Sequence, residues 1–432
     1  MESGKVNPGN AQPSGIYFRI KEDKGYKSVS PDRQDVADKI DANKDKVLTE
    51  NEIKNYMRKI DVLKDPSIAS VDDKQVYKDY KLYLQNKPLP QAKAYHTYEE
   101  LTTELKGLEA KYPDKAKLIS LGKTGEGNDI WALKISKDVN SDTSSRPGVV
   151  YTGAHHAREW ISMEEPLYIA NHLLNDYATD PKAKNRVDNA EIWVVPLVNP
   201  DGYNYTRTDD SMWRKNRRPI TDTGCPGNDE GNISEGQTCP INKTGKDTPI
   251  GVDLNRNYYD GNPDHFELYR PKGDKPCNTW DDFSATSDDP NDDTYRGPKG
   301  ASEVEVQALQ NLEFGRKNIK GIIDHHSYGK LILYPWGHTS QEVPDAKMYK
   351  DLGNGMAKAM SSPYKVMQSS GLYPTSGSSE DVAYANKKIS YTIEMASSFQ
   401  PPESQIDPLD KDVYAANMYF LDWIIDHKDK IG

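Results

Sequence analysis

Gly153-Ala154-His155-His156-Ala157-Arg158-Glu159-Trp160 is the stretch on which the reading of this 432-residue chain turns. It follows an apolar run, Val149-Val150-Tyr151, which reads as the end of a buried strand. It precedes a segment in which Leu167, Ile169, Ala170, Leu173 and Leu174 make a broad apolar face, the pattern of a helix packed on a sheet. His156 and Glu159 are three apart, and on the first turn of such a helix they would share a face. An imidazole and a carboxylate held side by side suit one zinc ion. The pair alone is a weak signal, because H-x-x-E often arises for structural reasons. Partners for it have to come from elsewhere in the chain.

From Tyr95 onward, strand-like and helix-like segments alternate. Strands are expected at Leu118-Ile119-Ser120, Ile130 to Leu133, Val149 to Thr152, Ile192 to Val198, Ile322-Ile323, Leu331 to Tyr334 and Tyr391-Thr392-Ile393. Helices are expected near 98–111, 159–176, 301–317, 344–361 and 408–427. Thr97 with Glu100 reads as a capping box opening the first of them. Apolar strands alternating with amphipathic helices give an α/β fold, a mixed central sheet with helices on both faces, over residues 95–432. Residues 208–250 and 271–293 are long polar insertions.

Several further segments place chemistry at strand ends, where open α/β sheets bind ligands. Ile322-Ile323-Asp324-His325-His326-Ser327-Tyr328 ends a strand in a histidine pair. Tyr391-Thr392-Ile393-Glu394 ends another in a carboxylate, which is costly there unless it binds something or moves a proton. Val252-Asp253-Leu254-Asn255-Arg256-Asn257-Tyr258 and Trp213-Arg214-Lys215 are two further pieces, each carrying an arginine.

Taken with Tyr95-His96-Thr97, Gly125-Glu126-Gly127, Asn199-Pro200-Asp201-Gly202, Tyr295-Arg296-Gly297 and Ser302-Glu303-Val304-Glu305, these pieces make residues 95–432 resemble the zinc metallocarboxypeptidases of the A/B/T type. The resemblance implies that His156, Glu159 and His326 bind one Zn²⁺, with water in the fourth position. It implies Glu394 as general base and Arg214 as the oxyanion partner. Asn255 and Arg256 become the clamp for the substrate's terminal carboxylate, and Tyr373 the residue that closes over it. Arg158, Ser327 and Tyr328 become accessory contacts. His155 and His325 are taken as structural neighbours of the ligands. Some relatives carry a second arginine three residues before Arg214; here that position is Ser211. The residue seven after the closing tyrosine lies at the base of the side-chain pocket in the family. Here it is Glu380, which favours C-terminal Lys or Arg or a mixed preference, although a shift of one would turn Ser379 or Asp381 inward instead. Gln368 adds a polar wall.

Residues 1–94 differ in character and read as a small helical pro-region or accessory domain with a Pro-containing linker at 82–91. Asp41-Ala42-Asn43-Lys44-Asp45-Lys46-Val47-Leu48-Thr49-Glu50-Asn51-Glu52 resembles an EF-hand loop, with Asp41, Asn43, Asp45, Val47 and Glu52 as expected Ca²⁺ ligands. Lys46 stands where that loop prefers Gly, so a weak site is expected.

Composition narrows the partners. A formal charge of -11 disfavours nucleic acid and anionic membranes, and no run approaches the roughly 18 apolar residues of a membrane span. The expected partner is a peptide or protein C-terminus, met by a monomer. The N-terminus shows no apolar signal region, which fits a cytosolic protein or one whose signal has been removed; of the two, a secreted protein is expected. Cys225, Cys239 and Cys277 allow one disulfide and a spare thiol, the pairing open. Two other readings stand beside the exopeptidase. One is a catalytically inactive, calcium-dependent binding relative, which the presence of all three ligands and Glu394 disfavours. The other is a zinc amidase on cell-wall peptides, which the Asn255-Arg256 clamp and Tyr373 disfavour.

Overall fold

The computed structural model describes residues 95–140, 145–218, 251–270 and 285–431, and three short strands nearer the N-terminus. Those strands are β1 (Arg19–Glu22), β2 (Gly25–Ser28) and β3 (Val47–Leu48). They form a sheet of their own, in the order β2-β1-β3. The helices expected before residue 94 lie outside the described residues. So do all proposed calcium ligands except Val47, which starts β3. Cys225, Cys239 and Cys277 also lie outside them.

The larger unit comprises residues 95–400 and 406–432. It is built on one eight-stranded mixed sheet. Its strands are β4 (Ala116–Lys123), β5 (Asp129–Ile135), β6 (Gly148–Gly153), β7 (Glu191–Val195), β8 (Ile319–Ser327), β9 (Leu331–Tyr334), β10 (Lys365–Gln368) and β11 (Ile389–Met395). The order across the sheet is β10-β9-β11-β8-β6-β7-β5-β4. The central four, β11, β8, β6 and β7, run parallel, while β9, β5 and β4 join antiparallel.

The parallel strands are buried on both faces, which is why they read as unbroken apolar runs rather than alternations. Alternate residues feed two cores. Val149 and Tyr151 of β6, with Ile192 and Val194 of β7, pack on one side. Val150, Trp193 and Val195 pack on the other. The first side is covered by α1 (Tyr98–Lys111), α2 (Ile161–Asn175), α6 (Ala346–Ala359) and α8 (Ile406–His427). The second is covered by α5 (Val304–Glu313) and α7 (Ser379–Ala385). Two short helices, α3 (Pro181–Asn189) and α4 (Pro200–Thr208), flank β7. The Thr97–Glu100 capping box forms as expected.

Three expectations change. The 156–159 segment is not the first turn of a helix, since α2 begins only at Ile161. The Ser378–Asp381 segment, outside every expected helix, opens α7, where Glu380 and Asp381 complement the positive end of the helix dipole. The edge strand β10 was not expected; its Lys-Val-Met-Gln sequence carries only one β-branched residue.

All four parallel strands point their carboxyl ends to the same edge of the sheet. There β6 delivers residues 154–160, β8 delivers His326 and Ser327, and β11 delivers Glu394.

Candidate active site

The turn after β6 is built by close packing. A Cβ on Gly153 would run into the Ser162 carbonyl, so only glycine lets the strand pass this near α2. The Ser162 hydroxyl accepts from the Ala154 N–H at 3.0 Å and donates to the Glu159 carbonyl at 2.6 Å. The Glu159 N–H donates to the His156 carbonyl at 3.1 Å, closing a tight turn. The i, i+3 pair therefore meets across a turn braced by α2.

Three side chains then converge. His156 Nδ1 lies 2.8 Å from Glu159 Oε1, and His326 Nδ1 lies 2.9 Å from Glu159 Oε2 and 3.0 Å from His156 Nδ1. The ligand atoms of all three lie within 4.8 Å of one another, and all three residues are buried. Each imidazole has a carboxylate behind it. His156 Nε2 faces Asp253 Oδ1 at 3.0 Å, and His326 Nε2 faces Asp324 Oδ2 at 2.9 Å. Glu159 on the inner side and these carboxylates on the outer side all accept only; with a cation bound between the inner donors, Asp253 and Asp324 would take the Nε2 protons and leave the Nδ1 lone pairs for the metal. Two imidazole lone pairs and a carboxylate crowded together repel one another unless a cation sits among them. The donor set fits a zinc ion with two nitrogens and one carboxylate oxygen. The Ser327 N–H, donating to Glu159 Oε2 at 3.1 Å, fixes the carboxylate.

Arg214 stands against this group. Its Nε donates to Asp253 Oδ2 at 2.9 Å, and Nη1 lies 3.9 Å from Glu159 Oε1. Burial opposes its charge, but the Asp253 and Glu159 carboxylates outweigh that and hold its pKa above the usual value. Glu394 is the register partner of His326 across β11 and β8. Desolvation, aided by the negative charge of Glu159, pushes its carboxyl up to about 8. A divalent cation between these carboxylates would pull it back down.

Asn255 and Arg256 sit on a short 3₁₀ turn, Leu254–Arg256, capped by the Asp253 side chain. Asn255 Oδ1 accepts from the Ser379 N–H at 2.8 Å, and Arg256 is held by the carbonyls of Ala285 (2.8 Å) and Asn255 (2.7 Å). Tyr373 and Tyr328 are large exposed aromatics, and Tyr328 meets Phe399 edge-on at 4.9 Å. Arg158 lies over the Phe399 ring and pairs with Asp293 at 3.1 Å. Ser327 Oγ donates to the Phe399 carbonyl at 3.2 Å.

The three residues after Ser378 go to three different places. Ser379 Oγ donates to Asp324, and Asp381 accepts from the N–H groups of Gly337 and His338. Glu380 lies buried with Oε2 accepting from the Thr392 hydroxyl at 2.7 Å. Burial and the neighbouring Asp381 raise its carboxyl to about 7. Gln368 spends its amide on the carbonyls of Trp336, Thr339 and Gln341.

The sequence gives no role to Asp253 or Asp324, and offers Ser379 only as an alternative pocket residue. The available signal was positional: Asp324 lies two residues before His326, hence on the same side of β8, in a strand too buried for an idle charge. His155 packs against Asp324 (2.9 Å) and the Tyr258 hydroxyl (2.7 Å), while His325 faces the Thr152 carbonyl and Asn417.

Known proteins share this fold and sequence pattern. The zinc carboxypeptidase family model matches residues 101–416. Mouse carboxypeptidase A4 is 29% identical over 344 residues, covering 77% of this chain and 71% of its own. Metallocarboxypeptidase A of Trichophyton rubrum is 27% identical over 411 residues, covering 89% and 85%. The crystal structure of carboxypeptidase A from Helicoverpa armigera superposes with a TM-score of 0.63 at 21% identity, covering 96% of this chain and 98% of that one.

Proposed function

Because the chain belongs to the zinc carboxypeptidase family and is a peptide hydrolase, we propose that it removes single amino acids from peptide C-termini, with His156, Glu159 and His326 holding the zinc ion. The observation that carries this reading is two carboxylate-backed histidines converging on Glu159 beside the buried Asn255-Arg256 pair.

Zinc supplies Lewis acidity, lowering the pKa of water to about 7 and polarising a carbonyl. The rest falls to the protein. Glu394 takes a proton from the attacking water and returns it to the leaving amine. Arg214, fixed in direction by Asp253, faces the oxygen where charge develops. Asn255 and Arg256 grip the terminal carboxylate, a group that an internal peptide bond does not offer at that place. Tyr373 closes over the bound residue. Arg158, Ser327 and Tyr328 contact the chain upstream.

Glu380 forms the base of the side-chain pocket in this proposal. Ser379 is uncharged and Asp381 is committed to the Gly337 and His338 N–H groups, so Glu380 is the acid assigned to a basic side chain. The preference is therefore for C-terminal Lys or Arg, or mixed, and it strengthens as Glu380 ionises above about pH 7. Residues 1–94 act either as a pro-region that restrains the enzyme or as an accessory domain that stays attached, binding calcium through the 41–52 loop. This part of the proposal rests on the sequence pattern, as does secretion. No helix among the described residues is long and apolar enough to cross a membrane.

The test is release of C-terminal residues from a peptide panel, with and without a zinc chelator and calcium, in the full chain and after trimming before Tyr95. Chelator-sensitive release confined to free C-termini is expected. Release that is equally fast from C-terminally amidated peptides would refute the exopeptidase reading. Far faster hydrolysis of Phe or Leu than of Lys or Arg would refute the role of Glu380. Unchanged activity on trimming would refute restraint by residues 1–94.

A further inference from the structure

Asp324 is 1% exposed and carries two partners on each carboxylate oxygen. Oδ1 accepts from the Thr152 hydroxyl at 2.8 Å and faces His155 Nδ1 at 2.9 Å. Oδ2 faces His326 Nε2 at 2.9 Å and accepts from the Ser379 hydroxyl at 2.9 Å. These contacts come from β6, from the turn after it, from β8 and from α7. Two of them lead onward to the segment that carries the clamp. His155 Nε2 reaches the Tyr258 hydroxyl at 2.7 Å, and the Ser379 N–H holds Asn255 Oδ1 at 2.8 Å.

The polarity of this chain is informative. Ser379 fixes the Asn255 amide with its oxygen toward α7, which turns Nδ2 toward His326, 3.3 Å from Nε2. With the Nε2 proton committed to Asp324, that ring offers Asn255 no acceptor. The Asn255 amide hydrogens stay available for a carboxylate arriving from outside. If His326 took the other tautomer, its Nε2 would accept from Asn255, and the metal site and the clamp would lose their donors together.

We propose that Asp324 is a positioning residue that couples the metal centre to the carboxylate clamp. It holds His326 in the plane and tautomer a zinc ligand needs, and through Ser379 it sets the rotamer of Asn255. The inference rests on the zinc reading above and extends it. It concerns geometry within the site, so a purely structural role for Asp324 would lower stability without moving the quantities below.

The test uses the full chain, stripped of metal and back-titrated with zinc against a chromophoric chelator, followed by peptide kinetics at saturating zinc. Asp324→Asn keeps the shape but loses the double acceptor. Its zinc affinity is expected to fall 10- to 100-fold, the usual effect of losing a carboxylate behind a ligand histidine. Its KM for a free-carboxylate peptide is expected to rise about tenfold at saturating zinc, with a smaller change in kcat. Ser379→Ala should move both in the same direction by less, and carries the test if Asp324→Asn does not fold. Zinc affinity within twofold of wild type in the folded variants overturns the inference. Weaker zinc binding with an unchanged KM overturns the coupling. Two zinc ions per chain also overturn it, because the alternative set His155, Asp324 and His326 uses the nitrogen assigned here to Asp324. A wild-type chain that binds no zinc refutes the zinc reading itself, not the role given to Asp324 within it.

Discussion

Glu394 and Arg214 have neighbours that predict different failures. Glu394→Gln preserves volume and should lower kcat by about 10²- to 10⁴-fold, the usual worth of a general base, with zinc content unchanged by metal analysis. Arg214 also neutralises Asp253, which stands behind His156. Arg214→Ala should therefore cost on the order of 10²- to 10³-fold in kcat and weaken zinc binding as well. Measuring zinc content beside kcat separates the two. His96 offers a pH-dependent test of folding. Its ring is desolvated, yet the Glu104 and Glu164 carboxylates outweigh that and raise its pKa to about 10 from 6.5. The folded chain favours the charged ring, so this stabilisation is fully present below pH 6.5 and is lost as pH rises toward 10. His96→Gln should flatten the fall in stability between pH 6.5 and 9, a difference of a few kcal/mol readable in urea melts. At this scale the sequence showed residues whose chemistry lies in a contiguous motif, such as His156 with Glu159. It did not show the carboxylates behind the histidines, because Asp253 and Asp324 gain meaning only from side chains that the fold brings up from remote positions.

Among elements, the 254–258 turn and the approach to α7 constrain each other. Gly377 has φ +69°, and a Cβ there would run into the Arg256 carbonyl. Gly377→Ala should push the two segments apart, raising KM for free-carboxylate peptides about tenfold or more while leaving zinc affinity near wild type. Steady-state kinetics with a parallel zinc titration checks this. The long helices and central strands were legible because periodicity and apolar runs are intrinsic to them. Pro181–Asn189, Ser379–Ala385 and Lys365–Gln368 were not, since elements of four to nine residues owe their shape to neighbours more than to propensity. The 156–159 spacing was read as helix because a turn and a helical turn bring residues three apart equally close.

For the molecule as a whole, zinc should act as a stabilising ligand. Two of the three proposed donors come from the turn between β6 and α2 and the third from the end of β8, so the ion would tie together neighbouring strands at the centre of the sheet. Binding at a thousand times Kd contributes about 4 kcal/mol. Chelation should lower Tm by several degrees, and zinc but not magnesium should restore it, as read by calorimetry. The fold class was legible at this scale because strand and helix alternate along residues 95–432 on both sides of the polar insertions at 208–250 and 271–293. The sheet order was not, since strand neighbours are chosen by long-range packing.

That order has a consequence in time. β6 pairs with β8 across the middle of the sheet, and His156 and His326 are separated by 170 positions. A ribosome adding roughly 5–20 residues per second needs about 10–30 s to pass from one to the other. Throughout that interval, β6 and its histidine exist without the strand that completes them. Metal capture should therefore be a late event of biogenesis, and a chain arrested before residue 319 should emerge from synthesis unable to retain zinc.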